Sequence, residues 1–290
     1  MVSIQMEKKE NYADSTLIIT AENVVAGYED RIIWRDANFV VGRGQFVAVI
    51  GPNGAGKTTL FRLLLGLQHP ISGNLTIFSN RPTRGNPKIG YVPQKHGIDE
   101  ETNVECLELV RLAISGKQWG FNRSRGNDRK IALETLQAVG AADLAHRPLS
   151  DLSGGELQRI FLAEALVSNP DVLLLDEPLS SLDLRRSREL VQLINGIVRS
   201  RGVTAFLVAH DINPLLPFLD NVIYLANGKV ATGTPGEVLT SECLSSLYGV
   251  HVEVIRDSKG NVAIIGSGTE KDSDFVFGNR CVSCNEDEKK

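Results

Sequence analysis

The stretch Gly51-Pro52-Asn53-Gly54-Ala55-Gly56-Lys57-Thr58-Thr59 fits the pattern G-x-x-x-x-G-K-[ST]. Successive backbone N–H groups of such a loop surround phosphate oxygens. Gly51, Gly54 and Gly56 admit backbone conformations that a side chain would forbid and let the chain approach a ligand closely. Lys57 offers a point charge to the outer phosphates, and the Thr58 hydroxyl can hold Mg²⁺. A second group of chemically capable residues is Leu173-Leu174-Leu175-Asp176-Glu177-Pro178. An apolar strand there places Asp176 at its carboxyl end, where open α/β sheets bind ligands and where the acid can share Mg²⁺ with Thr58. Glu177, one residue on, points elsewhere and can polarise an attacking water. Together the two stretches predict binding of a nucleoside triphosphate.

Leu152-Ser153-Gly154-Gly155-Glu156-Leu157-Gln158-Arg159 carries two compatible readings. Ser153 followed three residues later by Glu156 is a capping box that opens a helix. Two glycines beside a serine at a helix N-terminus also form a second phosphate-binding surface. One chain has little use for two such surfaces on one triphosphate, whereas two chains placed head to tail can use both. Cys281-Val282-Ser283-Cys284 has the spacing of a metal half-site, but no second Cys/His pair stands near it. A solvated tail is the competing reading of that segment. Cys106 and Cys243 sit among apolar residues and read as small core side chains.

The elements that must position these residues follow from hydrophobic periodicity. Phe46 to Ile50 is a short apolar run that reads as a buried strand entering the phosphate loop, and Thr59 to Leu65 reads as the helix leaving it. Asp171 to Asp176 and Thr204 to Ala209 are two further buried strands, the second ending at His210. Leu17 to Thr20 with Val24 and Val25, Ile32 to Val41, Asn74 to Phe78 and Ile89 to Val92 read as additional strands. Helical spacing runs through Val104 to Ser115, Arg129 to Val139 and Gly155 to Ser168, with a polar, basic stretch from Gly116 to Arg129 between the first two. Near the end, Asn221 to Val230 turns at Asn227-Gly228, and a further hairpin joins Val252–Ile255 to Val262–Ile265. There is no internal repeat, so a single nucleotide-binding unit is expected.

Bulk composition narrows the classes. A chain of 290 residues can bury one large core, and 42% apolar with 23% charged residues is ordinary for a globular protein. A net charge of −4 argues against broad nucleic-acid binding. The first fifteen residues lack the apolar core of a signal peptide, and no apolar stretch is long enough to cross a bilayer. These features point to a cytosolic protein, or one attached to a membrane only through a partner. The expected organisation is a flexible 1–15, a folded 16–265 with a helical subdomain near 100–168, and a polar tail over 266–290.

The ordered set of a phosphate loop, Tyr91-Val92-Pro93-Gln94, Leu-Ser-Gly-Gly-Glu at 152–156, Leu-Leu-Leu-Asp-Glu-Pro at 173–178, Ser181-Leu182-Asp183 and His210 resembles the ATP-binding cassette (ABC) ATPase family. The resemblance runs from about Ile18 to about Val254. It implies an α/β fold: a phosphate-loop NTPase core with a mixed sheet, an N-terminal antiparallel β subdomain and a helical insertion. It also implies ATP and Mg²⁺ as cofactors. Tyr28 would stack on adenine, although a tyrosine after a strand also serves simply for packing. Gln94 would contact Mg²⁺ and sense a membrane subunit, Glu177 would act as general base, and His210 would hold the γ-phosphate. Ser153, Gly154, Gly155 and Glu156 would meet the ATP of a partner chain, and Asp183 would communicate across the dimer. Glu156 departs from the glutamine more common at that position.

Within the family, Pro217-Phe218-Leu219-Asp220, Gly228 to Pro235, Leu247-Tyr248-Gly249-Val250 and the Tyr-Val-Pro-Gln form around Gln94 are similar to ATPases of zinc and manganese importers. Siderophore and haem importers share part of that pattern and stand as the alternative. The resemblance implies a homodimer in the ATP-bound state, polytopic permease subunits, a solute-binding protein acting through the complex, and a place on the cytoplasmic face of the membrane. Cassette ATPases of DNA repair or translation form a competing class, which typically carries two cassettes or a long coiled-coil insertion. A nucleotide-regulated module without turnover would lack Glu177 or Lys57, and both are present.

Overall fold

The fold is described from a computed structural model, which covers residues 17–28, 31–94, 103–115 and 125–266. The Cys281/Cys284 pair, most of the basic stretch between the first two helices and the polar tail lie outside these residues.

Strands β3 (Phe46–Ile50), β6 (Val172–Asp176) and β7 (Thr204–Val208) are buried at every position. Continuous apolar runs of this kind suit parallel strands covered on both faces. They lie at the centre of a six-stranded sheet with β5 (Ile89–Val92), β8 (Asn221–Ala226) and β9 (Lys229–Gly233), in the order β5-β6-β7-β3-β8-β9. Every pairing is parallel except β8 with β9. The β8–β9 turn is Asn227-Gly228 with positive φ at both residues (46° and 74°), the conformation that closes a tight two-residue hairpin.

Side chains alternate across the sheet, and each set builds its own core. Val47 and Val49 face the packing of α1 (Lys57–Leu64) and a three-stranded antiparallel sheet, β2-β1-β4. That sheet comprises β1 (Leu17–Tyr28), β2 (Arg31–Gly42) and β4 (Ser72–Ile77). Phe46, Ala48 and Ile50 face the other way, into the core formed with α5 (Leu184–Arg201) and the helices α2 (Cys106–Ser115), α3 (Arg125–Ala138) and α4 (Gly154–Leu166). Helices α2, α3 and α4 contact one another and form the helical insertion. Cys106 is fully buried within it, while Cys243 is partly buried, and neither forms a disulfide.

The opening strand read from Leu17 to Thr20 with Val24 and Val25 is one twelve-residue element, in which bulges absorb the polar Glu22-Asn23 step and Asn23 turns to φ 49°. One expectation is refined. Helix α3 begins at Arg125, inside the stretch expected to be a polar connector. Beyond β9, short α6 (Pro235–Val238) and α7 (Ser241–Tyr248) lead to a hairpin of β10 (Val252–Arg256) and β11 (Val262–Gly266).

Candidate active site

All the parallel strands run in one direction, so their carboxyl ends deliver chemistry to one edge. β3 hands over the phosphate loop, β5 hands over Gln94, β6 ends in Asp176-Glu177, and β7 leads to His210. The amino end of β3 is pinned in turn. Asp220 accepts from the Phe46 N–H at 2.7 Å, and the buried Thr204 hydroxyl accepts from the Gly44 N–H at 2.9 Å.

Two glycines of the loop are required by geometry. Gly51 has φ 149°, and a Cβ there would stand 2.1 Å from the Leu225 carbonyl oxygen. Gly56 caps α1 at φ 97°, and a Cβ would collide with Ile33 at 2.5 Å and the Trp34 ring nitrogen at 2.7 Å. The buried Trp34 indole lies against the loop, its N–H reaching toward the Gly56 carbonyl at 3.5 Å. Lys57 is only 6% exposed and donates to the carbonyls of Gly51 (2.8 Å) and Pro52 (3.1 Å), while the Ala55 N–H donates to the Pro52 carbonyl. Burial pulls the ammonium pKa below its ordinary value, and the carboxylates of Glu177 and Asp176 oppose that shift.

Asp176, also 6% exposed, is raised above the usual carboxylate range by burial and then by neighbouring Glu177; Lys57 and a Tyr91 hydrogen bond oppose the rise. Tyr91 stands edge-on to Phe61, with ring centroids 6.4 Å apart. Glu177 has a backbone φ of 52°, in the left-handed region that non-glycine residues seldom occupy, and such strain concentrates at functional sites. One of its oxygens lies 2.9 Å from His210 Nε2, and the other accepts from Gln94 Nε2 at 2.6 Å.

A cavity of about 500 Å³ collects these groups, lined by Tyr28, Asn53, Gly54, Gly56, Lys57, Thr58, Thr59, Gln94, Glu177 and His210 together with Arg31 and Ile33. Arg62 donates to the Tyr28 hydroxyl at 3.2 Å, and hydrogen bonding to Thr59, followed by Arg62, draws that phenol below its ordinary pKa. Sequence reasoning missed Arg31, Ile33, Trp34 and Arg62, which no local motif marks, and gave no role to Tyr91 although it adjoins Gln94.

Ser153 and Glu156 lie elsewhere. The Ser153 N–H and hydroxyl both reach Glu156 Oε2, at 2.8 and 2.6 Å, and α4 opens with a capping box. The Ser153 side chain, then its backbone N–H, holds the Glu156 carboxyl below the ordinary range. Arg147 adds an ion pair at 3.3 Å. Ser153, Gly155 and Glu156 line a separate cavity of about 240 Å³ with Arg159 and Arg186. Asp183 caps α5, accepting from the Arg186 N–H at 2.8 Å. None of residues 153–156 lines the phosphate-loop cavity. Among the described residues no group of three or more His, Cys, Asp or Glu could hold a metal ion, and no helix is long and apolar enough to cross a membrane.

The sequence model described as ABC transporter matches residues 34–180. Over 239 residues the chain is 33% identical to the manganese transport system ATP-binding protein MntB of Bacillus subtilis (strain 168), covering 82% of this chain and 95% of that protein. It is 34% identical over 235 residues to the zinc import ATP-binding protein ZnuC of Magnetococcus marinus, covering 81% and 84%. Among solved structures it is similar to the dimeric post-hydrolysis state of the ATP-binding cassette MJ0796 bound to ADP and phosphate. There the TM-score is 0.64 at 29% identity, covering 75% of this chain and 98% of that one.

Proposed function

The chain belongs to the ABC transporter family as one of its ATP-binding ATPase chains, and we propose that it energises an importer of a transition-metal cation, zinc or manganese. The observation that carries the mechanism is the division of its phosphate-binding surfaces. Asn53, Gly54, residues 56–59 and Glu177 line one cavity, and Ser153, Gly155 and Glu156 line another. A second copy, placed head to tail, brings its own Ser153–Gly155 surface to the phosphates held by the first. ATP then lies between two chains, with Asp183 beside the seam.

Within each site Lys57 leaves the loop carbonyls for the outer phosphates, and Tyr28, its hydroxyl tethered to Arg62, offers its ring to the adenine. Glu177 accepts a proton from the attacking water, and His210, 2.9 Å from that carboxylate, keeps it oriented and faces the γ-phosphate. Gln94 releases Glu177 as it responds to the membrane subunit. The donor set of the Thr58 hydroxyl, the Gln94 amide and the Asp176 carboxylate is all oxygen, which suits Mg²⁺. The fit rests on Asp176, a buried carboxyl whose charge a cation would stabilise. When bound, Mg²⁺ supplies positive charge to the phosphates.

Hydrolysis replaces the γ-phosphate bridge by separate anions, the dimer loosens, and docked permease subunits follow; a solute-binding protein delivers the cargo from the far side. The reading places the chain at the cytoplasmic face of the membrane, without nucleic acid as a partner. The names of the MntB and ZnuC relatives support zinc or manganese as cargo. Uptake of labelled Zn²⁺, Mn²⁺ and ferric chelates by cells lacking this chain tests it. Loss of Zn²⁺ or Mn²⁺ uptake is expected. Loss confined to ferric chelates would move the chain to the siderophore and haem class.

A further inference from the structure

His210 has a side chain 43% exposed and stands two residues beyond the end of β7, so something must fix the segment that carries it. The local turn is closed by Asp211, whose Oδ1 accepts from the Asn213 N–H at 2.9 Å and from the Asn213 side-chain amide at 3.0 Å. The same amide then reaches across the molecule. Asn213 Nδ2 donates to the Val262 carbonyl at 3.1 Å, and Asn213 Oδ1 accepts from the Val262 N–H at 2.7 Å. A side-chain amide that pairs with both polar groups of one residue acts as a peptide unit would in a sheet. It joins the segment of His210 to β11, 49 residues away.

A two-stranded hairpin is marginal alone and needs support. Here the support comes from α7 and from this clamp. Ser245 Oγ accepts from the Val252 N–H at 2.9 Å, and Ser241 Oγ accepts from the Val254 N–H at 2.9 Å. Apolar packing reinforces the join: Ile212 and Leu215 on one side, and Val252, Val262 and Ile264 on the other, are buried in the same core. The His210 segment is therefore held between the carboxyl end of β7 and the β10–β11 hairpin.

We infer that Asn213 is a positioning residue for His210, and that the β10–β11 hairpin is the anchor through which it acts. Asn213 touches neither the phosphate-loop cavity nor Glu177; its effect passes through the backbone from 211 to 213. Removing the amide leaves the Val262 N–H and carbonyl without their partner and frees the His210 segment. The inference rests on the proposed role of His210.

A double-mutant cycle on the full chain tests it, read as single-turnover release of radiolabelled phosphate from ATP. Asn213→Ala is expected to lower turnover roughly 10-fold or more, with ATP affinity within about twofold of wild type. In a His210→Ala background the same change should cost nothing further, because its route is already cut. Asn213→Asp keeps the acceptor for the Val262 N–H but sets its second carboxylate oxygen against the Val262 carbonyl and the Asp211 carboxylate, so it should lose at least as much; it replaces the alanine variant in the cycle should that one not fold. Wild-type turnover in Asn213→Ala beside an impaired His210→Ala overturns the inference alone. So do losses that multiply in the double variant. Wild-type turnover in His210→Ala removes the underlying reading, and the inference with it.

Discussion

Glu177 Oε1 lies 2.9 Å from His210 Nε2 while Glu177 Oε2 accepts from Gln94 Nε2 at 2.6 Å. Two side chains, delivered from the ends of β7 and β5, thus grip one carboxylate from both sides. The carboxylate itself stands on backbone with φ 52°, and its side chain is only 13% exposed. A residue held in that way is oriented before any substrate arrives, which is the condition for general-base work.

Glu177→Gln keeps the size of the side chain but removes the carboxylate proposed as the base. Turnover of ATP should fall roughly 10²–10⁴-fold, with ATP affinity retained. Steady-state phosphate release and equilibrium nucleotide titration measure the two quantities, and wild-type turnover would take Glu177 out of this role.

Lys57 is buried, and its hydrogen bonds go to loop carbonyls rather than to a carboxylate. Its charge is therefore available to a ligand in the cradle. Lys57→Ala should abolish tight ATP binding while leaving the fold cooperative in thermal melts. Unchanged affinity by calorimetric titration would remove Lys57 from the phosphate site.

Gly51→Ala tests the loop through its backbone instead of its charge. The added Cβ would stand 2.1 Å from the Leu225 carbonyl oxygen, at a φ that disfavours any side chain. The loop or β8 must shift, and weaker ATP binding together with a lower melting temperature is expected. Wild-type values of both would show that the loop accommodates a methyl group there.

Glu156 gives a pH dependence with a definite sign. Its carboxyl is held below the ordinary range by the Ser153 side chain first and the Ser153 N–H second. A lowered folded-state pKa contributes stability above the ordinary carboxylate range, and that contribution is lost as pH falls through the lowered value. Wild type should therefore melt higher than Glu156→Gln at pH 7, and the gap should close as the pH falls below the ordinary carboxylate range. The effect is small, because the side chain is partly exposed and screened. A gap that stays constant across this range would mean that the charge of Glu156 adds nothing to the cap.

How much of this was legible in the chain depends on how local each feature is. β3, β6 and β7 were readable because burial on both faces demands unbroken apolar runs. Asn227-Gly228 announced its hairpin because few residue pairs tolerate two positive φ values. β1 was harder, since its bulges break the alternation that marks a strand. The start of α3 was hidden because Arg125 to Asp128 offers no apolar face to count. Within the site, linear motifs marked the phosphate loop, Gln94, Asp176 and Glu177. The Trp34 indole over Gly56, the Tyr91 contact to Asp176 and the Asn213 clamp on Val262 were invisible, since each joins residues that only the folded topology brings together.

In the proposed dimer the phosphate loop is half of a site, completed by Ser153 to Gly155 of a second copy. Sedimentation velocity of Glu177→Gln, with and without ATP and Mg²⁺, tests it most directly. A dimer that forms only with ATP, and that a Ser153→Arg change in the same chain abolishes without weakening ATP binding to the monomer, is the predicted result. A chain that stays monomeric while saturated with ATP, or a dimer indifferent to Ser153→Arg, would contradict it.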